Sequence, residues 1–397
     1  MPDTMKIRWR STPAALASSA ILATLGCSNG NGASSGGAAP TSDSGKPDAA
    51  GEDSGHDSGA AEDARPDGGD AGVPDGAGPD AAADAPADGS CDRANALDGA
   101  CPITLAANQG APVGLAIDAH HVYWTAMAAG VDAGGGVVFR APIGGGPITT
   151  IASGQATPAG IAVDAERVYW TNTGNDTVIS APLDGGAPTT IMTTSGAPEY
   201  IAIDAASVYV TTASGSVLSC PVGGLGGGAP AVLAAGQAQP GPVAVDGTSV
   251  YWTSYSGSAS VVSIPKSGLP DGGAPFVIAS NENLPFAIAL DTTHVYWTTI
   301  GDGSVRAALK TGVQGGGSPT TLATGQATPA GIAVDTGHAY FTSEVGAGAV
   351  FQVGLTGGGM PTTFVASQGY ANAIVVDDAN VYWTDFSANG SVMQVAK

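Results

Sequence analysis

Positive charge is scarce in this chain. Of its 397 residues, 12 are Lys or Arg and 34 are Asp or Glu, so the formal net charge is −22. Without a basic stripe to neutralise phosphates, the sequence excludes nucleic acid as a partner. The acids are unevenly spread: residues 28–90 hold thirteen acids and two bases, whereas residues 102–397 hold eighteen acids and six bases. The net charge therefore says little about a binding site.

Long apolar runs are also lacking, and none reaches the twenty or so residues that a bilayer-spanning helix needs. The nearest candidate follows a basic stretch at residues 6–10 and reads STPAALASSAILATLGC. This pattern indicates an export signal over residues 1–27, and its end resembles the bacterial lipobox, in which the cysteine carries lipid. We expect Cys27 to anchor the protein to the cell envelope, at the outer membrane or cell surface. An ordinary cleaved signal and a freely secreted protein are the alternative.

Aromatic residues are absent from residues 28–90, whose one branched aliphatic residue is Val73. Such a segment cannot bury enough apolar surface to offset the entropy of ordering. We expect a disordered linker rich in Asp, Gly, Ala and Pro. Its scattered aspartates follow no calcium-loop spacing, which favours a solvated spacer over a metal site.

Cysteine is limited to four residues. Apart from Cys27, two of them bracket the short segment 91–101, and a disulfide between Cys91 and Cys101 is the expected state in an exported protein. Cys220 falls at a strand position that neighbouring repeats fill with Ala or Ile, so we expect it to be buried. No second cysteine pair is present to complete a zinc site.

Helical periodicity is missing from residues 102–397, where a short phrase recurs instead. It reads GIAVDAERVYWTNTG at residues 160–174, and Gly-rich turns separate the strand-length runs between its copies. Each copy contains one aspartate, and the seven are Asp118, Asp164, Asp204, Asp246, Asp291, Asp335 and Asp377. Intervals of 40–46 residues are typical of propeller blades.

Each repeat predicts one four-stranded antiparallel blade. The residues one and three before the aspartate are Ile, Leu or Val, and the residue between them is Ala except at Val375. Small residues suit an innermost strand, where blades converge. The seventh copy stops after its third strand, but residues 101–110, CPITLAANQG, match the missing fourth strand. We therefore predict an all-β, seven-bladed β-propeller over residues 102–397, closed by an N-terminal strand that completes the C-terminal blade.

The second strand of the repeat resembles the YWTD motif of low-density lipoprotein receptor class B propellers, letter for letter at residues 382–385. The resemblance covers residues 102–397 and, with the lipobox-like start, suggests YWTD-type repeats in a bacterial exported lipoprotein. The family has six blades where this chain predicts seven. The motif's final Asp, here Asp385, is replaced in the other copies by Ala126, Asn172, Thr212, Ser254, Thr299 and Ser343. The resemblance therefore does not establish that this chain has the hydrogen bonds that the Asp provides between blades in that family.

Candidate binding residues lie nine positions before the aspartates, in the loops that enter the blades. They are Gln109, Gln155, Ser195, Gln237, Glu282, Gln326 and Gln368, and Glu199 adds a second unusual carboxylate. One interpretation is a polar rim for a ligand on this face; the other is that each Gln fastens its own loop. The seven aspartates allow a similar choice between a ring of ligands and local acceptors for turn amides, and we expect the latter.

No catalytic residue, metal site or cofactor is predicted, because no Ser/His/Asp set, HExxH motif or spaced carboxylate pair is present. The favoured function is a tethered, monomeric binding scaffold whose loop face meets a protein, glycan or small ligand. The membrane is contacted through the lipid anchor alone. The alternative is an enzyme resembling gluconolactonase-type or lyase-type propellers, with a divalent metal at the channel mouth. In either case we expect the loop-face residues to be dispensable for folding.

Overall fold

A computed structural model describes residues 101–127, 135–257, 259–269, 273–313, 318–345 and 348–397. The predicted signal peptide, the linker, Cys27 and Cys91 lie outside these ranges. Within them, strands are the regular elements, and no helix is long and apolar enough to cross a membrane.

The described ranges contain twenty-eight strands, numbered here in chain order. The first, β1 (Ile103–Ala106), does not belong to the blade formed by the strands that follow it. Blade 1 contains β2 (Pro112–Ile117), β3 (His121–Ala126), β4 (Gly136–Pro142) and β5 (Thr149–Gln155). Blade 2 contains β6 (Pro158–Val163), β7 (Arg167–Asn172), β8 (Thr177–Pro182) and β9 (Thr189–Thr193). Blade 3 contains β10 (Pro198–Ile203), β11 (Ser207–Thr212), β12 (Val217–Pro221) and β13 (Ala231–Ala234).

The remaining blades repeat this plan. Blade 4 contains β14 (Pro240–Val245), β15 (Ser249–Ser254), β16 (Ser260–Pro265) and β17 (Phe276–Ser280). Blade 5 contains β18 (Pro285–Leu290), β19 (His294–Thr299), β20 (Ser304–Leu309) and β21 (Thr320–Ala323). Blade 6 contains β22 (Pro329–Val334), β23 (His338–Ser343), β24 (Ala349–Gly354) and β25 (Thr362–Ala366). Blade 7 contains β26 (Ala371–Val376), β27 (Asn380–Asp385), β28 (Val392–Ala396) and β1.

The ring is closed as the sequence predicts. Strand β1 pairs antiparallel with β28, with Ile103 opposite Gln394 and Thr104 opposite Met393. The first strand of each blade packs against that of the next, including β26 against β2. The fold is a seven-bladed β-propeller of four-stranded antiparallel blades.

The repeat motif fills the space between blades. Among the described residues, the largest fully buried side chains are five tryptophans, five tyrosines and Phe341, with Trp170 and Trp297 at 0% exposure. The alanines of the innermost strands are buried because neighbouring strands come close there. Gly160 shows how close, since an added Cβ would lie 2.9 Å from the carbonyl oxygen of Glu199 in the next blade. Small residues at these positions are therefore a packing requirement.

Threonine, and not the final Asp of the motif, links adjacent blades. In six blades the motif threonine donates to a first-strand carbonyl of the following blade, over 2.6–3.3 Å: Thr125 to Ala159, Thr171 to Glu199, Thr211 to Gly241, Thr253 to Phe286, Thr298 to Ala330 and Thr342 to Asn372. Asp385 instead accepts the amide of Tyr370, in the loop entering its own blade. Ser254 and Ser343 also fasten their own entering loops, by donating to the carbonyls of Ala238 and Ala327.

Candidate functional site

The antiparallel strands give the propeller two distinct faces. The loops entering each blade and the loops between second and third strands meet on one side, which we call the loop face. The aspartate turns between first and second strands lie at the opposite ends of those strands, on what we call the turn face. The two faces use different parts of the repeat.

The turn face is built seven times in the same way. In every blade the aspartate Oδ1 accepts the amides two and three residues later, over 2.6–2.9 Å. In every blade Oδ2 accepts the hydroxyl of the motif tyrosine, over 2.5–3.2 Å. The prediction of local acceptors is confirmed, and the tyrosine partner is an addition from the structure. Burial and this hydrogen bond raise the pKa of Tyr209 to about 12.

Three lysines add a second layer to these turns. Lys266, Lys310 and Lys397 place their ammonium groups 2.6–2.8 Å from Oδ2 of Asp204, Asp246 and Asp335, each in the preceding blade. Burial acts to raise the pKa of Asp246, but the hydrogen bonds from Lys310 and the turn amides outweigh it and hold that pKa well below its usual range. Each of these pairs therefore joins two blades by charge.

A cavity of about 1190 Å³ opens in the centre of the turn face. The aspartate turns and first-strand ends of blades 1–5 frame it, with apolar walls from residues such as Val163, Ala202 and Leu290. Lys266 and Lys310 also line it, beside the carboxylates with which they pair. The candidate residues predicted from sequence lie on the other face, and none of them lines this cavity. The signal was present in the lysines, which alternate with Ile, Leu and Val at one repeat position.

The predicted glutamine rim lies on the loop face, where its side chains hold the loops. Five glutamines donate to the carbonyl two residues earlier in their own loops: Gln109, Gln155, Gln237, Gln326 and Gln368. The Oε1 atoms of Gln109 and Gln155 also accept the indole N–H of Trp124 and Trp170. This is the structural role that the sequence analysis set beside ligand binding. Binding at the rim stays a prediction.

Glu282 takes the glutamine position in blade 5 and is 5% exposed. Its Oε2 accepts the indole N–H of Trp297 over 2.8 Å and pairs with Arg306 over 2.9 Å. Arg306 also pairs with Asp302. The carboxylate is therefore committed to its own blade, and the expectation that it is dispensable for folding has to be revised.

Glu199 lies in another blade, as the second residue of β10 and not in an entering loop. Its backbone carbonyl accepts the Thr171 hydroxyl of blade 2. Burial raises the pKa of its carboxyl from 4.5 to about 7. The structure thus separates the two unusual carboxylates into blades 3 and 5.

Two equivalents of Glu199, in blades 5 and 7, contact the loop between second and third strands of the preceding blade. Phe286 packs edge-on against Tyr255, with ring centroids 6.3 Å apart. Asn372 is fully buried and donates to Glu344 over 2.7 Å. These contacts vary from blade to blade, unlike the turn face.

Metal and cysteine chemistry are limited in the part of the chain that the structure describes. No group of three or more His, Cys, Asp or Glu side chains there could hold a metal ion. Cys220 is free and 3% exposed in β12, as predicted, and burial raises its pKa to about 11. Cys101 is disulfide-bonded, while its partner lies outside the described residues, so pairing with Cys91 stays a prediction.

Comparison with known proteins supports the fold. No protein-family model and no curated protein matches the sequence. Virginiamycin B lyase from Staphylococcus aureus aligns with a TM-score of 0.61 at 14% identity, over 75% of this chain and 99% of that one. A streptogramin B lyase aligns with the same score and identity, over 75% and 97%. A chain of the nidogen–laminin complex aligns at 18% identity over 68% and 96%, and its TM-score of 0.48 is too low to bear on the resemblance to YWTD repeats.

Proposed function

We propose that this protein is an exported, envelope-anchored propeller that binds a ligand in the cavity at the centre of its turn face. The observation that carries the proposal is the cavity itself, at about 1190 Å³ and framed by equivalent turns of five blades. Ligand sites are typically concave, mostly apolar and fitted with a few converging polar groups. Apolar first-strand ends and carboxylates at the rim meet that description. Export and the Cys27 lipid anchor remain part of the proposal.

The turns that form the cavity favour binding because they are preorganised. Each aspartate already holds two amides and a tyrosine hydroxyl, so ligand entry requires little ordering of the protein. A site that is rigid before binding loses less entropy on association. The polar rim of the loop face is kept as a second contact surface for a protein or glycan.

A neutral fluorescent probe, N-phenyl-1-naphthylamine, tests the cavity. The residue after each aspartate is exposed, and Ala165 and Ala205 at this position line the cavity, whereas Thr336 does not. We expect saturable binding of one probe per chain, at least tenfold weaker after a joint Ala165→Trp, Ala205→Trp change. Thr336→Trp is the matched control and should bind as the unaltered chain does. Equal binding by both variants would refute the cavity as the site.

Catalysis at the loop face is the second candidate function, and Glu199 is the observation that favours it. Its pKa of about 7 suits a general acid or base near neutral pH. Two structures of similar fold are lyases by name, and one such lyase has been crystallised with quinupristin. Quinupristin is therefore a suitable first substrate to test. Its conversion to product is measured by chromatography. Product formation that is lost in Glu199→Gln would support catalysis. An unchanged substrate would count against catalysis on quinupristin and favour the binding proposal.

A further inference from the structure

The seven aspartate turns share their hydrogen bonds, but the residue that faces each turn from the following blade differs. That residue comes directly after the third strand, and its amide donates to the carbonyl two residues after the aspartate of its own blade in all seven blades. The seven equivalent residues are Ile143, Leu183, Val222, Lys266, Lys310, Leu355 and Lys397. The backbone bond fixes their equivalence, so the side chain alone differs.

Where this residue is lysine, its ammonium group binds Oδ2 of the preceding blade's aspartate. The three Nζ–Oδ2 distances are 2.6, 2.8 and 2.8 Å. In these blades Oδ2 accepts both the tyrosine hydroxyl and the ammonium group. A carboxylate oxygen has two lone pairs, so these two donors occupy them. The repeat thereby shows what the second lone pair accepts: a primary ammonium group on an aliphatic stem.

Leu183 and Val222 stand where a lysine would reach Asp118 and Asp164. Both are partly buried against the core and supply no donor. Among the residues that the structure describes, no lysine or arginine forms a salt bridge with either carboxylate. Arg167 donates to Ser180, and Arg140 donates to the carbonyl of Leu183 and hydrogen-bonds the hydroxyl of Tyr123. His121 lies 3.7 Å from Asp118, on the Oδ1 side. Oδ2 of each carboxylate keeps the tyrosine as its hydrogen-bond donor.

These two carboxylates face the cavity. A third cavity-lining carboxylate, Asp291, also faces an aliphatic residue, Leu355, but His294 lies 3.7 Å from its Oδ2. Asp118 and Asp164 line the cavity in neighbouring blades, and the lysines that occupy the equivalent ammonium positions in blades 4 and 5 line it as well. The ammonium-binding side of the turns is therefore directed towards the cavity. The adjacent walls are apolar, with Val163 next to Asp164 and Ala202 in the following blade.

We propose that the ligand of the turn-face cavity is an aliphatic amine, whose ammonium group binds Asp164 or Asp118 as the lysines bind Asp204 and Asp246. This inference rests on the proposed function, because it names the chemical class of ligand for the same cavity. The aliphatic part of the amine lies against the apolar walls. A ligand with two ammonium groups engages both carboxylates.

Titration calorimetry on the full chain tests the inference with three probes: hexylamine, 1,6-diaminohexane and the neutral analogue hexan-1-ol. We expect hexylamine to bind at least tenfold more tightly than hexan-1-ol, and the diamine more tightly still. Joint Leu183→Lys, Val222→Lys substitution supplies internal ammonium groups to Asp118 and Asp164, and should weaken diamine binding at least tenfold. Ile143→Lys is the matched control, because it faces Asp377, which does not line the cavity. This control should change diamine affinity less than twofold.

A gain-of-binding variant keeps the test decisive if the double lysine variant misfolds. Lys266→Met frees Asp204 within the cavity and should tighten diamine binding about threefold or more. Equal affinity for hexylamine and hexan-1-ol, or an equal loss in the Ile143→Lys control, would overturn the amine inference. If the naphthylamine probe binds and hexan-1-ol displaces it while the amines do not, the cavity is a site but not for amines. If no probe binds, the proposed function itself is wrong.

Discussion

The two faces of this propeller are made from the same repeat, yet the contacts on the turn face are more alike from blade to blade than those on the loop face. On the turn face, seven aspartates make the same three hydrogen bonds, although the residues that follow each aspartate differ. On the loop face, the equivalent contacts range from a Tyr–Phe pair to a hydrogen-bonded Glu and Asn. A regular turn can be kept in every blade because it closes a hairpin locally. The loops are long enough to differ, and they meet different neighbours.

A side chain that departs from the repeat is not necessarily available to bind a ligand. On the loop face, Glu282 departs from the repeated glutamine and was predicted as a binding residue, but its carboxylate forms an ion pair with Arg306 in its own blade. On the regular face, the informative departure is the absence of a lysine beside four of the seven aspartates, of which Asp118, Asp164 and Asp291 line the cavity. A side chain's partners decide its availability, and sequence position alone does not reveal them.

The largest effect is expected where the turn face meets the core. Tyr169→Ala removes a buried ring and should lower the free energy of unfolding by about 3–5 kcal/mol. Tyr169→Phe keeps the ring and removes the hydroxyl bond to Asp164, for a loss of about 1.5–3 kcal/mol. Chemical denaturation of both variants measures the two parts. A Phe variant as stable as the original chain would show that the turn does not depend on its tyrosine.

Next in size is a loop-face residue that behaves as a core residue. Glu282→Ala leaves the indole of Trp297 without its acceptor and removes one partner of Arg306, so we expect a loss of about 2–4 kcal/mol. Gln326→Ala is the matched control in blade 6, and should cost less than about 1 kcal/mol because it loses one hydrogen bond. Thermal unfolding of both compares them. Similar, small losses would restore the view that the rim is dispensable.

Glu199 should make stability depend on pH. Because burial raises its pKa from 4.5 to about 7, the folded state holds the proton more tightly than the unfolded state. Its contribution is fully present below pH 4.5 and is lost as the pH rises through 7, on the order of 3 kcal/mol. We expect the unfolding free energy of the original chain, relative to Glu199→Gln, to fall across this window. Parallel pH profiles for the two proteins would contradict the shift.

The smallest effect is expected from a lysine of the turn face. Lys310→Met removes a partly exposed ion pair with Asp246, and should cost about 0.5–1 kcal/mol at low salt and less at high salt. Leu355→Met, at the equivalent position in blade 6, controls for the change in side chain. Unfolding in 0.05 and 1 M salt measures both. If the loss in unfolding free energy is the same at both salt concentrations, the aliphatic stem of Lys310 contributes more to stability than its charge does.

Several features were predictable from sequence because local chemistry repeats along the chain. The period and the residue alternation around each aspartate predicted the blades, and residues 101–110 predicted the closing strand, now seen as β1 paired with β28. Hydrogen bonds between residues two or three apart, such as Asp164 with the amide of Arg167, were also within reach. The predicted burial of Cys220 followed from its strand position alone.

Contacts between blades were decided by the tertiary structure. The Thr171 hydroxyl reaches Glu199 in the next blade, and Lys310 reaches Asp246, 64 residues earlier in the chain. The sequence determined the architecture because six of the seven blades close their own hydrogen bonds within a single repeat, and the fourth-strand phrase at the N-terminal end marks the seventh. It could not determine which carboxylates remain available, because availability depends on side chains from a different blade. Those side chains come within hydrogen-bond distance only when neighbouring blades pack against each other.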